Sequence, residues 1–239
     1  MATAASSIEA LRGIREQPNG LWIGALTTHR ELVESLLAES WAPSLIEACR
    51  TVGAVQIQNR GTLAGNICNA SPAADGVPAL IAMDAEVEIA SSTSTRTLPV
   101  SDFLQGNRIT TLGETELVTA ILVPKRSPAA RSAFLKLGAR RYLVISIAMV
   151  AAVIDCDEDN RIQHARIAVG SCSVVAQRLF ALEESLVGRI QSSSIDSALT
   201  PAMLSPLSPI DDVRGDAGYR QSSAETLVRR LLAEIGSAT

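Results

Sequence analysis

The chain is poor in lysine, histidine and aromatic residues. Of its 239 residues only 3% are aromatic, two are histidine, and two of the 21 basic residues, Lys125 and Lys136, are lysine. Neither lysine lies in a basic cluster, so no polybasic segment is available for a membrane surface. A formal net charge of −4 argues against nucleic acid as the main partner. Two isolated histidines, His29 and His164, leave a Ser–His–Asp or Cys–His hydrolase site unsupported. Cys49, Cys68, Cys156 and Cys172 are scattered without a C-x-x-C pair. The expectation is no metal or iron–sulfur cluster in this chain, and a reducing, cytoplasmic setting. The most apolar run, residues 143–154, is shorter than the ~20 residues a bilayer-spanning helix needs. The leading MATAASSIEALRG lacks the basic-then-apolar order of a secretory signal. Neither G-x-G-x-x-G nor G-x-x-x-x-G-K-[ST] occurs, so neither a Rossmann oxidoreductase nor a P-loop NTPase is supported.

What remains is 47% hydrophobic, enough to bury a core, and its patterning is α+β. Residues 20–28 read as a strand entering a helix, with Thr28 and Glu31 in capping-box spacing and Leu32, Val33, Leu36 and Leu37 on one face. A second helix starts at Pro43, carries Leu45, Ile46, Ala48 and Val52, and stops at Gly53. Residues 78–83 form a short apolar helix, and residues 86–90 and 116–123 alternate as strands. At residues 123–132 two prolines and three basic residues interrupt the pattern, which marks a subdomain boundary. Beyond it, residues 133–137, 146–155 and 161–171 read as strands, the last two joined as a hairpin by the polar turn CDEDNR. Residues 179–187 and 217–235 are helical, separated by a Ser/Pro-rich loop at 192–208. Trp22 and Trp41 are expected in the core. His29 is expected as a solvated or capping residue, His164 on the surface, and Cys68 as a small apolar filler.

The stretch VQIQNRGTLAGNICNASPAAD, residues 55–75, has no sustained period of either kind. Gly61 and Gly65 permit close approach of the backbone to a bound group, and Ala64 is nearly as small. Consecutive main-chain amides there can form a nest for an anion, and Thr62, Asn66, Asn69 and Ser71 add neutral hydrogen-bonding groups. Asp75 would repel a phosphate and suits a hydroxyl or amide donor. The same composition also suits an ordinary surface loop between two helices.

QNRGTLAGNICNASPAAD resembles the second flavin-binding loop of the FAD subunits of molybdenum hydroxylases, the group that includes the xanthine dehydrogenase and carbon monoxide dehydrogenase flavoprotein subunits. Three further stretches agree in order and spacing: LWIGALTTHREL, SAFLKLGARR and SPIDDVRGDAGYRQSSAETLVRRLL. The resemblance implies a FAD-binding domain of the vanillyl-alcohol-oxidase (PCMH) type over residues 1–126, truncated at its N-terminus. A domain like the C-terminal domain of carbon monoxide dehydrogenase flavoproteins follows over residues 127–239. It further implies a hetero-oligomer in which FAD takes electrons from a two-iron cluster in a small subunit. That cluster is fed by a molybdopterin site in a large subunit, and FAD passes the electrons to an external acceptor.

Carried over residue by residue, the resemblance sets Thr62, Ala64, Gly65 and Asn66 against the diphosphate, with Ser71 in the same loop. Asp75 falls near the ribityl and isoalloxazine part, Val118 against the flavin or adenine region, and Lys136 beside the FAD. Two departures stand out. The family's Gly-rich first loop, of the A-G-G-T-D type, precedes the point where MATAASSIEALRGI aligns. Without it FAD affinity falls by several kcal/mol, at ~1.5–3 kcal/mol per charge-assisted bond. A flavin-free scaffold bridging the partner subunits is the alternative that this departure raises. Val144 stands where many relatives carry an acid after the double arginine Arg140 and Arg141. The helix bearing Arg229 and Arg230 has an apolar face of Leu227, Leu231 and Leu232, suited to docking on the body of the protein.

Overall fold

The computed structural model describes residues 8–140, 144–192 and 194–237; Arg141 and Leu143 of the stretches above lie outside them. In chain order the strands are β1 (Ile14–Gln17), β2 (Gly20–Gly24), β3 (Glu86–Ala90), β4 (Thr95–Pro99), β5 (Leu104–Gly106), β6 (Ile109–Thr110), β7 (Leu117–Pro124), β8 (Arg131–Leu137), β9 (Ala148–Cys156), β10 (Ile162–Gly170) and β11 (Gln177–Arg178). The helices are α1 (His29–Glu34), α2 (Leu36–Trp41), α3 (Pro43–Arg50), α4 (Val55–Gln58), α5 (Leu63–Cys68), α6 (Gly76–Ala82), α7 (Val100–Phe103), α8 (Phe180–Leu186) and α9 (Ala217–Ser237). None of these helices is long and apolar enough to cross a membrane.

Two antiparallel sheets organise the molecule. The first has the order β1-β2-β7-β3-β4 and the second β11-β10-β9-β8. The central strand β9 explains how they join. Its run Ala148 to Ile154 is apolar without alternation because both faces are covered. Met149, Ala151 and Val153 face the core shared with the first sheet, whereas Ala148, Val150, Ala152 and Ile154 face a second core. The period of two is intact, but both sides are interior. Helix α9 packs on the second face, where Leu227, Leu231 and Leu232 are buried, as its apolar stripe predicts. Helix α6 packs on the other face, and every one of its seven residues is buried. The approach is close: a β-carbon at Gly170 would lie 2.7 Å from Pro78 Cγ. The outer edge of β8 is covered by α3, whose Glu47 accepts the Phe134 amide at 2.8 Å.

The capping box at Thr28 forms as expected, with Thr28 Oγ1 accepting from the Glu31 amide and Glu31 reaching back. The helix does not continue through Leu36. Ser35 leaves the helical conformation and recaps the chain by accepting the Ala38 amide, which turns Leu36 out to 82% exposure. Trp22 is buried and Trp41 only partly so. The CDEDNR hairpin forms, its turn closed by Asp157 Oδ1 accepting from the Asp159 and Arg161 amides. Strand β1 and the short strands β4 to β6 carry too little apolar alternation to be predicted; their residues are mostly exposed.

A single carboxylate fastens the two sheets on the far side of α6. Asp84, in left-handed conformation at φ 47°, binds Arg126 at 3.3 Å, Arg166 at 2.5 Å and Arg178 at 2.8 Å. Burial works against its charge, and the three guanidiniums outweigh it, holding the carboxyl below the ordinary range. Asn tolerates the same backbone conformation, so Asp84→Asn removes the charge and one acceptor oxygen without straining the backbone. The carboxylate is 44% exposed, so the loss is discounted from that of a buried pair to about 1–2 kcal/mol in urea unfolding. An unchanged midpoint would show that the three arginines need no common anion.

Candidate cofactor site

Residues 55–75 form more structure than their sequence pattern signals. Helix α4 is followed by a turn and then by α5, so the irregular loop expected there is two short helices. Composition hides them, since glycine and asparagine are weak helix formers held here by tertiary contacts. The start of α5 is pinned to the start of α1 by a bridge between Thr28 and Thr62. The His29 amide donates to Gly61 O at 3.0 Å, and the Leu63 amide to Thr27 O at 3.2 Å. Thr62 caps α5 by accepting the Gly65 amide at 3.0 Å. Gly65 is required for this: a β-carbon there would stand 2.9 Å from Thr62 Oγ1. The Ala64 amide has no intrahelical acceptor in the first turn.

Ten residues beyond Gly65, Asp75 meets the second domain. Its Oδ2 accepts from Lys136 Nζ at 2.7 Å and its Oδ1 from Ser146 Oγ at 2.5 Å. Lys136 also donates to Thr51 O at 3.4 Å. The lysine and aspartate side chains are only 11% and 9% exposed. Burial pushes the Asp75 carboxyl above the ordinary carboxylate range, and Lys136 and Ser146 act against that rise. The expectation that Asp75 opposes an anion is therefore corrected: its charge is matched inside the cluster.

Thr62, Ala64, Gly65 and Asn66 lie together on α5, and Asp75 and Lys136 are in contact. Ser71 sits between these groups and accepts the Ala73 amide at 3.3 Å. Val118 stands apart on β7, 3% exposed within the first core, although α5 packs on that strand. Sequence reasoning missed Ser146, Thr51 and the place of His29. Ser146 was expected as the first residue of a strand that in fact begins at Ala148. His29 is neither solvated nor merely a cap. It is 1% exposed, with Nδ1 3.4 Å from Cys49 Sγ, and burial pushes its pKa down to about 4. Its ring flanks the turn at Gly61, where an added β-carbon would lie 3.5 Å from Cδ2. His164 is exposed, as expected. The thiols are unpaired, and burial raises Cys49 to about 12 and Cys68 to about 11, so neither is a thiolate.

The residues fit a diphosphate-bearing cofactor with hydroxyl or amide groups. Asn66 Oδ1 is buried with no partner, which leaves an acceptor for a ligand donor. The polar groups of α5 itself are neutral, Arg108 donates to Asn69 at its C-terminal end, and Asp75 is paired with Lys136. A side chain at position 65 would occupy the close approach that the cap leaves open.

The chain matches two families end to end. Residues 4–126 match the FAD binding domain in molybdopterin dehydrogenase, and residues 133–235 the CO dehydrogenase flavoprotein C-terminal domain. It is 31% identical to the carbon monoxide dehydrogenase medium chain of Hydrogenophaga pseudoflava, over 94% of this chain and 78% of that one. It is 27% identical to the putative xanthine dehydrogenase FAD-binding subunit of Escherichia coli K12, over 97% and 80%. Among solved structures it resembles reconstituted CO dehydrogenase from Oligotropha carboxidovorans, with TM-score 0.89 and 26% identity over 95% of this chain and 79% of that one.

The neutral ring of His29 makes a pH prediction. Below the ordinary histidine value of 6.5 the unfolded chain takes up a proton that the folded ring refuses until about pH 4, so stability falls as pH falls through this window. Between pH 7 and pH 5 the native chain should lose about 2 kcal/mol more than His29→Gln in urea unfolding. Parallel pH curves for the two proteins would contradict a buried neutral ring.

Proposed function

The chain belongs to the family of FAD-binding subunits of molybdopterin dehydrogenases, and from that premise we propose that it is the flavin-bearing electron carrier of a molybdenum hydroxylase. The observation that carries this reading is a neutral, capped cradle set against a charge-matched Asp75–Lys136 pair at the junction of two domains. Substrate oxidation takes place in a molybdopterin-binding large subunit. A small iron–sulfur subunit delivers the electrons, and the assembly is a hetero-oligomer. Bound FAD supplies a group that accepts electrons singly and releases them as a pair to an external acceptor. The unpaired cysteines suit a cytoplasmic setting.

In this reading residues 1–126 are the PCMH-type FAD-binding domain and residues 127–239 the second domain. The α5 amides at Ala64 and Gly65 approach the diphosphate, with Thr62 setting the helix start and Asn66 offering its free carbonyl oxygen. Ser71 lies along the same path. Asp75 accepts a ribityl or ring donor while Lys136 holds its charge, and Val118 backs the cradle from β7. The protein's own part is positioning and exclusion of water: His29 is buried as a neutral ring and burial keeps the Cys49 and Cys68 thiols protonated.

Purification with its partner subunits and a visible spectrum test the reading: about one FAD per copy of this chain is expected. A complex that assembles and turns over without flavin would overturn it. Gly65→Val should weaken FAD binding at least about tenfold, measured by flavin fluorescence, because its branched side chain drives into Thr62 Oγ1. Losing the cap costs only about 0.5–2 kcal/mol of stability, so the fold survives. Full FAD retention in this variant would remove α5 from the site.

A further inference from the structure

A cavity of about 190 Å³ lies between the interdomain link at residues 125–130 and the junction of α2 with α3. It stands at the opposite end of three elements from the cofactor site. Pro43 opens α3 at the cavity, and Thr51 follows the far end of that helix beside Lys136. Met83 ends α6 at the cavity, and Asp75 precedes its first residue. At the helical rise these two stand about 12 Å apart. On β8, Ser132 lines the cavity, and Lys136 lies four positions further along the strand.

The polar groups that line this cavity are donors in want of an acceptor. The Arg126 side chain is 13% exposed and donates through Nη2 to Asp84 at 3.3 Å, a carboxylate it shares with Arg166 and Arg178. Its Nε is buried with no acceptor. Burial and the charge of Arg166 both work against the Arg126 cation, which a bound anion would favour. The main-chain amide of Lys125 is held by Asn19 O at 3.0 Å, while its ammonium has no partner among the described residues. Ser132 Oγ accepts the Ser44 amide and Ser127 Oγ the Ala129 amide, each at 3.2 Å, so both hydroxyls keep a proton to donate. Among the described residues no carboxylate lines the cavity. Arg126 is matched by Asp84 and Lys125 by nothing, an excess that a monoanion balances and a dianion overshoots. Trp41, Met83 and Val153 supply an apolar wall, with Met83 only 2% exposed.

We propose that this cavity binds a small organic monocarboxylate, its head on Lys125, Arg126 and Ser132 and its apolar body against Trp41. Charge-assisted bonds hold the head, and the closed apolar wall limits the body to one ring or a short chain. The inference does not rest on flavin binding. Of the two tryptophans, Trp22 and Trp41, only Trp41 lines the cavity, so its emission reports occupancy. Titration of the full chain, with and without FAD, tests the proposal by calorimetry and tryptophan fluorescence, using benzoate, phenyl phosphate and the neutral benzamide. Benzoate should bind saturably in both forms and more tightly than phenyl phosphate, with benzamide at least about tenfold weaker. The emission change should vanish in Trp41→Phe. Lys125→Gln should weaken benzoate about tenfold with FAD content unchanged, because the exposed side chain carries no packing. No saturable binding, equal binding of benzamide, tighter binding of phenyl phosphate, or full benzoate affinity in Lys125→Gln would overturn the proposal.

Discussion

The buried contact between Asp75 and Lys136 is the constraint on which the rest of the structure depends. It joins residues 61 positions apart, one at the start of α6 in the first domain and one on β8 in the second. Removing one member of such a pair leaves an unmatched charge in a dry site, at a cost of about 3–5 kcal/mol. The pair therefore fixes how the domains meet. In the proposed function it also bears on what the adjacent cradle accepts, because an unmatched Asp75 would repel an anion held at α5.

The two sheets are built to make that contact rigid. β9 is interior on both faces, and α6 fills the seam with seven buried residues, so the domains share one continuous packing rather than a hinge. Asp84, at the end of α6, fastens the seam with three arginines. An electron carrier gains from this arrangement, since a cofactor held at such a seam keeps a fixed place relative to any partner docked on either domain.

Much of this is legible in the residues. The capping box at Thr28, the hairpin around CDEDNR and the apolar stripe of α9 are local patterns that form where their spacing places them, and the apolar run of β9 forms a strand that starts two residues later than its pattern. Long-range facts leave no local trace. Leu36 continues a helical stripe in sequence yet is exposed, because Ser35 recaps the chain. His29 reads as a cap and is buried beneath Gly61. Asp75 and Lys136 were named by resemblance to a family, but their pairing and the part of Ser146 follow only from the packing of β8 and β9.

The central claim is that Lys136 makes the cradle fit an anion by matching Asp75. A double-mutant cycle on FAD affinity tests it directly. Lys136→Met alone should weaken FAD binding at least about tenfold, and adding Asp75→Asn should restore a large part of the loss because no unmatched carboxylate remains. Additive losses in the double variant, or wild-type affinity in Lys136→Met, would contradict the account.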